Sequence, residues 1–404
     1  MKILLNKSFF LTILLVFNST YSSVLSFSYY TIIFSLIFIV FIFIKNKLLI
    51  DSLFLKFSIL FFLVSIFLFF SLPSFDLYLT GYNYLKFLYA YLSIKIIGFS
   101  FFHNIVKIGF YGSIISFPFF LLQLINFDFA FKLVGYFQNI FDFLAWRSDQ
   151  IANNIIFTVN SDAVFRNSGF MWEPKGFSNF LIIALIFRLF QNNLKLYDKY
   201  VIVIILAIIT TFSTAGFIAL FFVFLFYFLN KNLRIIFTIF PFFLLFSVYI
   251  FFTNDLLYKK ILYELSLNEE YKTLLYEKTD YNDKNYSLGR VGSFIVDFED
   301  FLKRPFFGYG FSRENRTQSA YVKLIRVNGL SDLFVVYGFL GFILFFYMHH
   351  IFLKLLNNKR FRFINLLSLA FIVLYFATTM TGHPFWTSLL FLSVIIPNKY
   401  NFNT

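Results

Sequence analysis

Charged residues that could do chemistry gather at two places in a chain of which only 13% is charged. The first is Arg166-Asn167-Ser168-Gly169-Phe170-Met171-Trp172-Glu173-Pro174-Lys175-Gly176, at the entrance to an apolar run. Pro174 suits the first turn of a helix, where a missing N–H costs nothing. That puts Glu173 at or beside the N-cap. A helix starting there points unsatisfied N–H groups and a positive dipole end at its surroundings, a setting that holds phosphate. Arg166 and Lys175 add positive charge. Glu173 supplies one carboxylate that can pair with Arg166 or accept a substrate proton. The same residues also describe an ordinary helix cap beside an interfacial tryptophan, and by spacing alone the cap is the commoner pattern.

The second gathering begins at Arg290. Val291, Phe294, Ile295, Phe298 and Leu302 recur at helical spacing, with Asp297 and Asp300 off that stripe, which predicts a surface helix ended by Arg304-Pro305. The glycines of Gly308-Tyr309-Gly310 allow a tight backbone turn. Arg313, Arg316, Lys323 and Arg326 follow. Guanidinium forks match phosphate oxygens, and several on one site suit a diphosphate. A solvated basic loop has the same composition. The Tyr-rich stretch 258–286, with Glu264, Glu269, Glu270, Glu277 and Asp280, reads as a solvated loop.

Everything else must position these two loops, and it is apolar. Of 404 residues, 60% are hydrophobic, and the mean hydropathy is +0.78. A soluble fold of this size cannot hide that much apolar surface. The apolar runs are continuous rather than alternating, which excludes a barrel and leaves helices. The expected fold is therefore all-α: a polytopic integral membrane protein forming a single membrane domain over 1–404. At about 20 residues per crossing, helices are expected near 8–25, 27–44, 53–72, 82–101, 105–126, 176–191, 199–213, 214–230, 233–252, 332–353, 361–377 and 383–397. Two large polar loops remain, 127–175 and 253–331, the first opening with an amphipathic stretch, Phe127–Trp146.

The net charge of +14 would suggest nucleic acid in a soluble protein. Here many Lys and Arg sit in short loops at alternate helix ends, so no nucleic-acid partner is expected. Lys2, Lys7, Lys45, Lys47, Lys107, Arg188, Lys195, Lys199, Lys231, Arg234, Lys354, Lys359, Arg360, Arg362 and Lys399 fall on one side. The opposite short loops, 18–26, 73–82, 213–214 and 378–383, carry no Lys or Arg. The positive-inside rule then places both termini in the cytoplasm and both large loops outside. No cytoplasmic segment is long enough for a nucleotide-binding domain, and there is no Gly-rich phosphate loop. Energy must come from an activated substrate or an ion gradient. There is no Cys, hence no thiolate chemistry.

With these residues in place, the chain resembles the O-antigen polymerase and ligase superfamily. Arg166-x-x-Gly169-x-x-x-Glu173-Pro174 resembles its arginine-glycine-glutamate-proline signature, and Thr211-Phe212-Ser213-Thr214-Ala215-Gly216 resembles its small-residue helix break. Arg290 through Pro305 to Gly308-Tyr309-Gly310 resembles the arginine-to-glycine stretch of its large loop, and Tyr337-Gly338-Phe339-Leu340-Gly341 its next helix entry. Two departures matter. The arginine-to-glycine spacing described for polymerases fails in both loops: Gly176 comes one position early, and Phe301 stands where the second glycine is expected. The histidine that ligases carry in the second loop is also missing; Gln318, Ser319 and Tyr321 occupy that region. The lack of this histidine points to a polymerase.

The resemblance implies a bacterial inner-membrane enzyme that joins undecaprenyl-diphosphate-linked oligosaccharides into O-antigen or capsule-type polysaccharide. It implies no cofactor and no metal, and a membrane chain-length regulator as a partner. Arg166, Arg290 and Glu173 are the expected catalytic residues, with Glu173 as base or orienter; Lys175, Arg313, Arg316 and Arg326 would hold the diphosphate. A ligase, a polysaccharide or lipid transporter, and a metal-dependent polyprenyl glycosyltransferase are the alternatives. Transporters place ionisable groups inside their helices, whereas Lys95 and Arg188 lie near helix ends and can snorkel. The metal-dependent enzymes carry acidic residues in the first outer loop, and 18–26 has none.

The topology is testable because the chain lacks cysteine. Single cysteines at Ser161 and Ser287 are expected to react with an impermeant thiol reagent in cells whose outer membrane alone is permeabilised. Labelling only after lysis would invert the topology.

Overall fold

A computed structural model describes residues 7–20, 26, 29–140, 151–231, 285–317, 323–357, 361–377 and 382–395. The helix expected at 233–252, the stretch 258–284 and residues 318–322 lie outside the described residues. The helices are α1 (Lys7–Phe17), α2 (Tyr29–Lys45), α3 (Ser52–Ser71), α4 (Leu77–Ile97), α5 (Ser100–Ile125), α6 (Phe127–Ile140), α7 (Pro174–Gln191), α8 (Lys199–Thr210), α9 (Thr214–Lys231), α10 (Arg290–Lys303), α11 (Gly329–Asn357), α12 (Asn365–Ala377) and α13 (Pro384–Ser388), the last running into a 3-10 turn, Leu389–Val394. Apolar runs in the sequence therefore mark most of the described helices, although the first ends at Phe17 rather than 25 and the last is helical only over Pro384–Ser388 before its 3-10 turn.

They do not mark crossings equally well. Among the described residues four helices, α3, α5, α9 and α11, are long and apolar enough to cross a bilayer. The chain is thus a helical membrane protein, but about twelve crossings are more than these lengths support. α1, α8 and α12 span 11, 12 and 13 residues, short of the bilayer core. The all-α expectation also needs a small correction. Two short pairings occur in the polar loops: β1 (Ile151–Asn153) runs antiparallel to β2 (Thr158–Asn160), and β3 (Asn285–Ser287) runs parallel to β4 (Lys323–Ile325).

α7 is the central helix. Its residues from Phe177 to Phe187 are all buried, and it packs against α5, α8 and α9. A helix apolar on every side belongs in the middle of a bundle. Its ends are polar. Arg188 makes a two-pronged pair with Asp198, which in turn caps α8 through Tyr200 N–H and Val201 N–H. Lys95 likewise pairs with Asp51 at 2.7 Å, and Tyr91 donates to the same carboxylate. Both cations that the sequence reads as snorkelling are therefore paired.

α6 forms where the first loop is expected to be amphipathic, over 127–140. Asn126 caps it by accepting from Phe129 N–H at 3.0 Å. Ala130 and Val134 pack with Phe120, Phe157 and Val159 in a small core separate from the main one.

α11 is broken at Gly338, which stands at φ 63°, ψ −170°. A broken turn frees carbonyls that lipid cannot satisfy. The segment after α10 satisfies them: Tyr309 N–H donates to Val335 O at 2.8 Å and Gly310 N–H to Val336 O at 2.9 Å, while Phe339 N–H donates back to Pro305 O at 2.7 Å. The backbones approach so closely that a Cβ on Gly308 would lie 2.3 Å from Val335 O, and one on Gly338 would lie 2.3 Å from Phe306 O. Gly338→Ala is expected to lower the thermal midpoint in detergent, with roughly 1–3 kcal/mol coming from the backbone conformation alone. Gly81→Ala, in open space on α4, is expected to leave the midpoint unchanged or raise it by up to about 1 kcal/mol in stability.

Candidate functional site

The first loop is held from three sides. Gln123, buried near the end of α5, donates to the carbonyls of Ala163, Val164 and Arg166. Asn167 donates through its side chain to Ser116 Oγ and Thr210 Oγ1, both at 3.0 Å, and through its backbone to Thr210 O. Trp172 N–H donates to Thr20 O beyond the end of α1. Arg166 Nε donates to Thr211 O at 3.2 Å, a C-terminal carbonyl of α8 whose partial negative charge favours a cation. The Thr211–Gly216 break and the arginine motif, far apart in sequence, thus meet in space.

Pro174 is the first residue of α7 and Glu173 its N-cap, as the spacing predicts. The carboxylate makes no capping hydrogen bond. It pairs instead with Lys175, Oε2 to Nζ 2.7 Å, and remains 38% exposed. Lys175, expected to contact a diphosphate directly, is thus engaged by Glu173.

Arg290 opens α10, and the second loop fixes it through β3 and β4. Leu288 N–H donates to Ile325 O, and Asn328 Nδ2 donates to Arg290 O at 3.1 Å. Asn328 also caps α11 by accepting from Leu330 N–H and Ser331 N–H. From this framework Arg290 acts electrostatically on Arg166. Burial chiefly holds the Arg166 guanidinium below its ordinary pKa; Glu173 opposes that shift and Arg290 adds to it. Arg166, Glu173 and Arg290, drawn from two loops, therefore share one electrostatic neighbourhood.

The other arginines of the second loop are arranged differently. Arg316 is buried; its Nη1 donates to Asp332 Oδ1 at 2.8 Å and its Nη2 to Gly310 O. Arg326 Nη1 bridges Asp297 Oδ1 at 2.6 Å and Asp300 Oδ2 at 2.9 Å, and its Nη2 donates to Thr317 O. Asp297 also accepts from Ser331 Oγ at 2.6 Å. Burial pushes the Asp297 carboxyl up to about 6, against the pull of Arg326. Arg326, expected to bind diphosphate, is in this structure the centre of a buried ion network. The backbone of Arg313 lies in a short 3-10 turn, Arg313–Asn315.

Below these loops an apolar cavity runs between α3, α4 and α11. Leu68, Val64, Phe61, Leu340 and Leu344 line its length, and Gly310, Phe311 and Tyr337 line it as well. Gly310 is also the residue whose carbonyl Arg316 holds, so a cation stands beside the cavity. Lys86, which the sequence reading passed over, lies midway along α4 with its amine 4.3 Å from the Tyr82 ring centroid and near His383. Its signal in the sequence is a lysine inside a long apolar run. His383 is buried at the N-cap of α13.

Comparison with family models, with curated proteins and with solved structures finds no match to this chain.

The two kinds of arginine separate experimentally. Arg326→Ala leaves Asp297 buried without its cation and Asp300 with only the more distant Lys303, a change that costs about 3–5 kcal/mol. It is expected to reduce folded yield and lower the thermal midpoint sharply. A midpoint equal to that of the native protein would mean that Arg326 is no structural centre.

Proposed function

We propose that this chain is a membrane glycosyltransferase that polymerises undecaprenyl-diphosphate-linked oligosaccharide repeats. The observation that carries the reading is that Arg166 and Glu173, beside the start of the central helix, and Arg290, from the other loop, lie within electrostatic reach of one another. Two guanidiniums and Lys175 against one carboxylate make a site with positive charge in place before any ligand arrives. The reading further has about twelve crossings, both termini in the cytoplasm, and the two large loops on the periplasmic side of the inner membrane.

A hydroxyl oxygen of the acceptor sugar attacks the anomeric carbon of the donor's first sugar. The bond from that carbon to the diphosphate oxygen breaks, and the diphosphate leaves with the electron pair while still joined to its polyprenyl chain. The hydroxyl proton passes to Glu173 or, where Glu173 only orients the hydroxyl, to the leaving diphosphate. Charge grows on that diphosphate as the bond breaks, and fixed cations beside it lower the barrier without reorganising. Glu173 is already engaged by Lys175, which suits it to orienting the hydroxyl. The cavity beside Gly310 has the lining a polyprenyl chain needs. The reaction draws its energy from the diphosphate linkage, in keeping with a sequence that carries no phosphate-binding glycine loop. The sequence of the second loop has no histidine, which favours polymerase over ligase.

Purified protein in nanodiscs, given lipid-linked repeats, is expected to produce a ladder of longer glycans on a gel. Arg166→Ala and Arg290→Ala should each lower the rate roughly 100- to 1,000-fold. Lysine at either position should recover little, because it cannot make paired hydrogen bonds. Glu173→Gln should lose most activity with a nearly unchanged thermal midpoint, since the carboxylate makes no cap bond and its partly exposed pair with Lys175 is worth about 1 kcal/mol or less. Wild-type ladders from the Gln variant would remove Glu173 from the reaction.

A further inference from the structure

α10 is folded with its faces reversed relative to a helix on a water-soluble surface. Its buried side is Gly292, Ser293, Val296, Asp297 and Asp300. Its exposed side is Val291, Ile295, Phe298 and Leu302, the apolar stripe of the sequence, with Leu302 61% exposed. The two sides lie about opposite one another on a helical wheel. A helix that turns carboxylates inward and aliphatic and aromatic groups outward is matched to an apolar medium.

The position of α10 says which medium. Arg304, just past its C-terminus, donates to Ser71 O at 2.8 Å, and Ser71 is the last residue of α3, a helix long and apolar enough to span the bilayer. The next residues are bonded to the break in α11, another such helix. α10 is thereby held at the depth where two spanning helices end or break. Its apolar side also continues without interruption onto the side of α11. Phe294 stacks on Phe298 at 6.0 Å, Phe298 meets Phe301 at 5.9 Å, Phe301 meets Phe334 at 5.2 Å, and Phe334 stacks on Phe342 at 3.9 Å. Next to that ladder, Phe339 and Ile343 are each 50% exposed on α11, as lipid-facing residues of a spanning helix are. Glu299, exposed at one edge of the apolar side, is placed to mark the waterline.

We propose that the lipid bilayer covers this face: α10 lies in the plane of the membrane, its Val291–Ile295–Phe298–Leu302 side in the hydrocarbon of one leaflet. Arg290, at its first turn, is then set at headgroup depth, where the phosphates of any lipid-borne substrate must also lie. The assignment does not depend on the proposed activity.

The absence of cysteine makes the test direct. Single cysteines at Ile295, Phe298, Leu302 and Glu299 are spin-labelled in the full chain, reconstituted in phosphatidylcholine and phosphatidylglycerol vesicles. Collisions with oxygen, which partitions into lipid, are compared with collisions with a water-soluble nickel chelate. Labels at 295, 298 and 302 are expected to be several-fold more accessible to oxygen than to nickel, and the label at 299 to reverse that order. Nickel access at 295, 298 and 302 would overturn the proposal by showing a water-exposed helix. Low access to both reagents would overturn it by showing a protein partner, such as a second copy of the chain. Should a labelled variant misfold, Phe298→Trp in vesicles of bromine-labelled lipid gives the same decision: the added fluorescence is quenched if the proposal holds and unquenched if it does not.

Discussion

A broken helix in a bilayer must find partners for its freed backbone groups, because the surrounding hydrocarbon offers none. In this protein each polar loop supplies the partners for one break. The first loop serves the gap between α8 and α9: Asn167 N–H donates to Thr210 O, and Arg166 Nε to Thr211 O. The second loop serves the gap in α11, through Tyr309, Gly310 and the return bond from Phe339 to Pro305. Loops of this length would otherwise be free to wander. Stitched to breaks within the bundle, they take their positions from spanning helices, and Arg166 and Arg290 are placed as firmly as residues on the helices themselves.

This arrangement accounts for two guanidiniums coming together against their mutual repulsion. The repulsion is one term among many backbone hydrogen bonds and buried apolar contacts that hold the loops. The second loop also has its own internal anchor, in which Asp297 and Asp300 are balanced by Arg326 and Lys303 around Thr317 and Ser331. Its cost of burial is offset by the number of hydrogen bonds each carboxylate accepts. The loop thus separates its charges by role. One set closes on itself and holds α10 against the start of α11, while Arg290 is left beside the cation of the other loop.

Much of this was legible before any coordinates. Continuous apolar runs located most of the described helices, because lipid-facing and core-facing surfaces are equally apolar and both register in the pattern; the helix expected at 8–25 ends at Phe17, and that expected at 383–397 is a short helix, Pro384–Ser388, followed by a 3-10 turn. Proline at the first helical position fixed the start of α7 and with it the place of Glu173. The number of crossings was less legible, since a run of apolar residues does not reveal where turns shorten a helix. The stripe on α10 was visible, but which side faces inward was not: period alone shows that two faces differ, and only the medium decides which one is buried. Arg326 illustrates a further limit. A basic residue in a loop looks the same whether it awaits a ligand or answers carboxylates 26 and 29 positions earlier, and nothing in the local spacing distinguishes the two.

The tie between the α3–α4 turn and the second loop has a consequence for how the protein is made. Arg304 holds Ser71, Ser312 Oγ accepts from Asp76 N–H, and Asn315 donates to Ser74 O, across sequence separations of 233, 236 and 241 residues. A ribosome delivers the chain from its N-terminus, so the turn after α3 reaches the membrane surface long before its partners exist. Contacts so distant along the chain are slow to form and come late. Until they do, Arg290 has no fixed address, and Arg166 waits alone on a half-built bundle. The paired cations therefore belong only to a chain whose two halves have both been inserted and have found each other. A partly synthesised protein carries most of the apolar mass of the finished one without the joined loops.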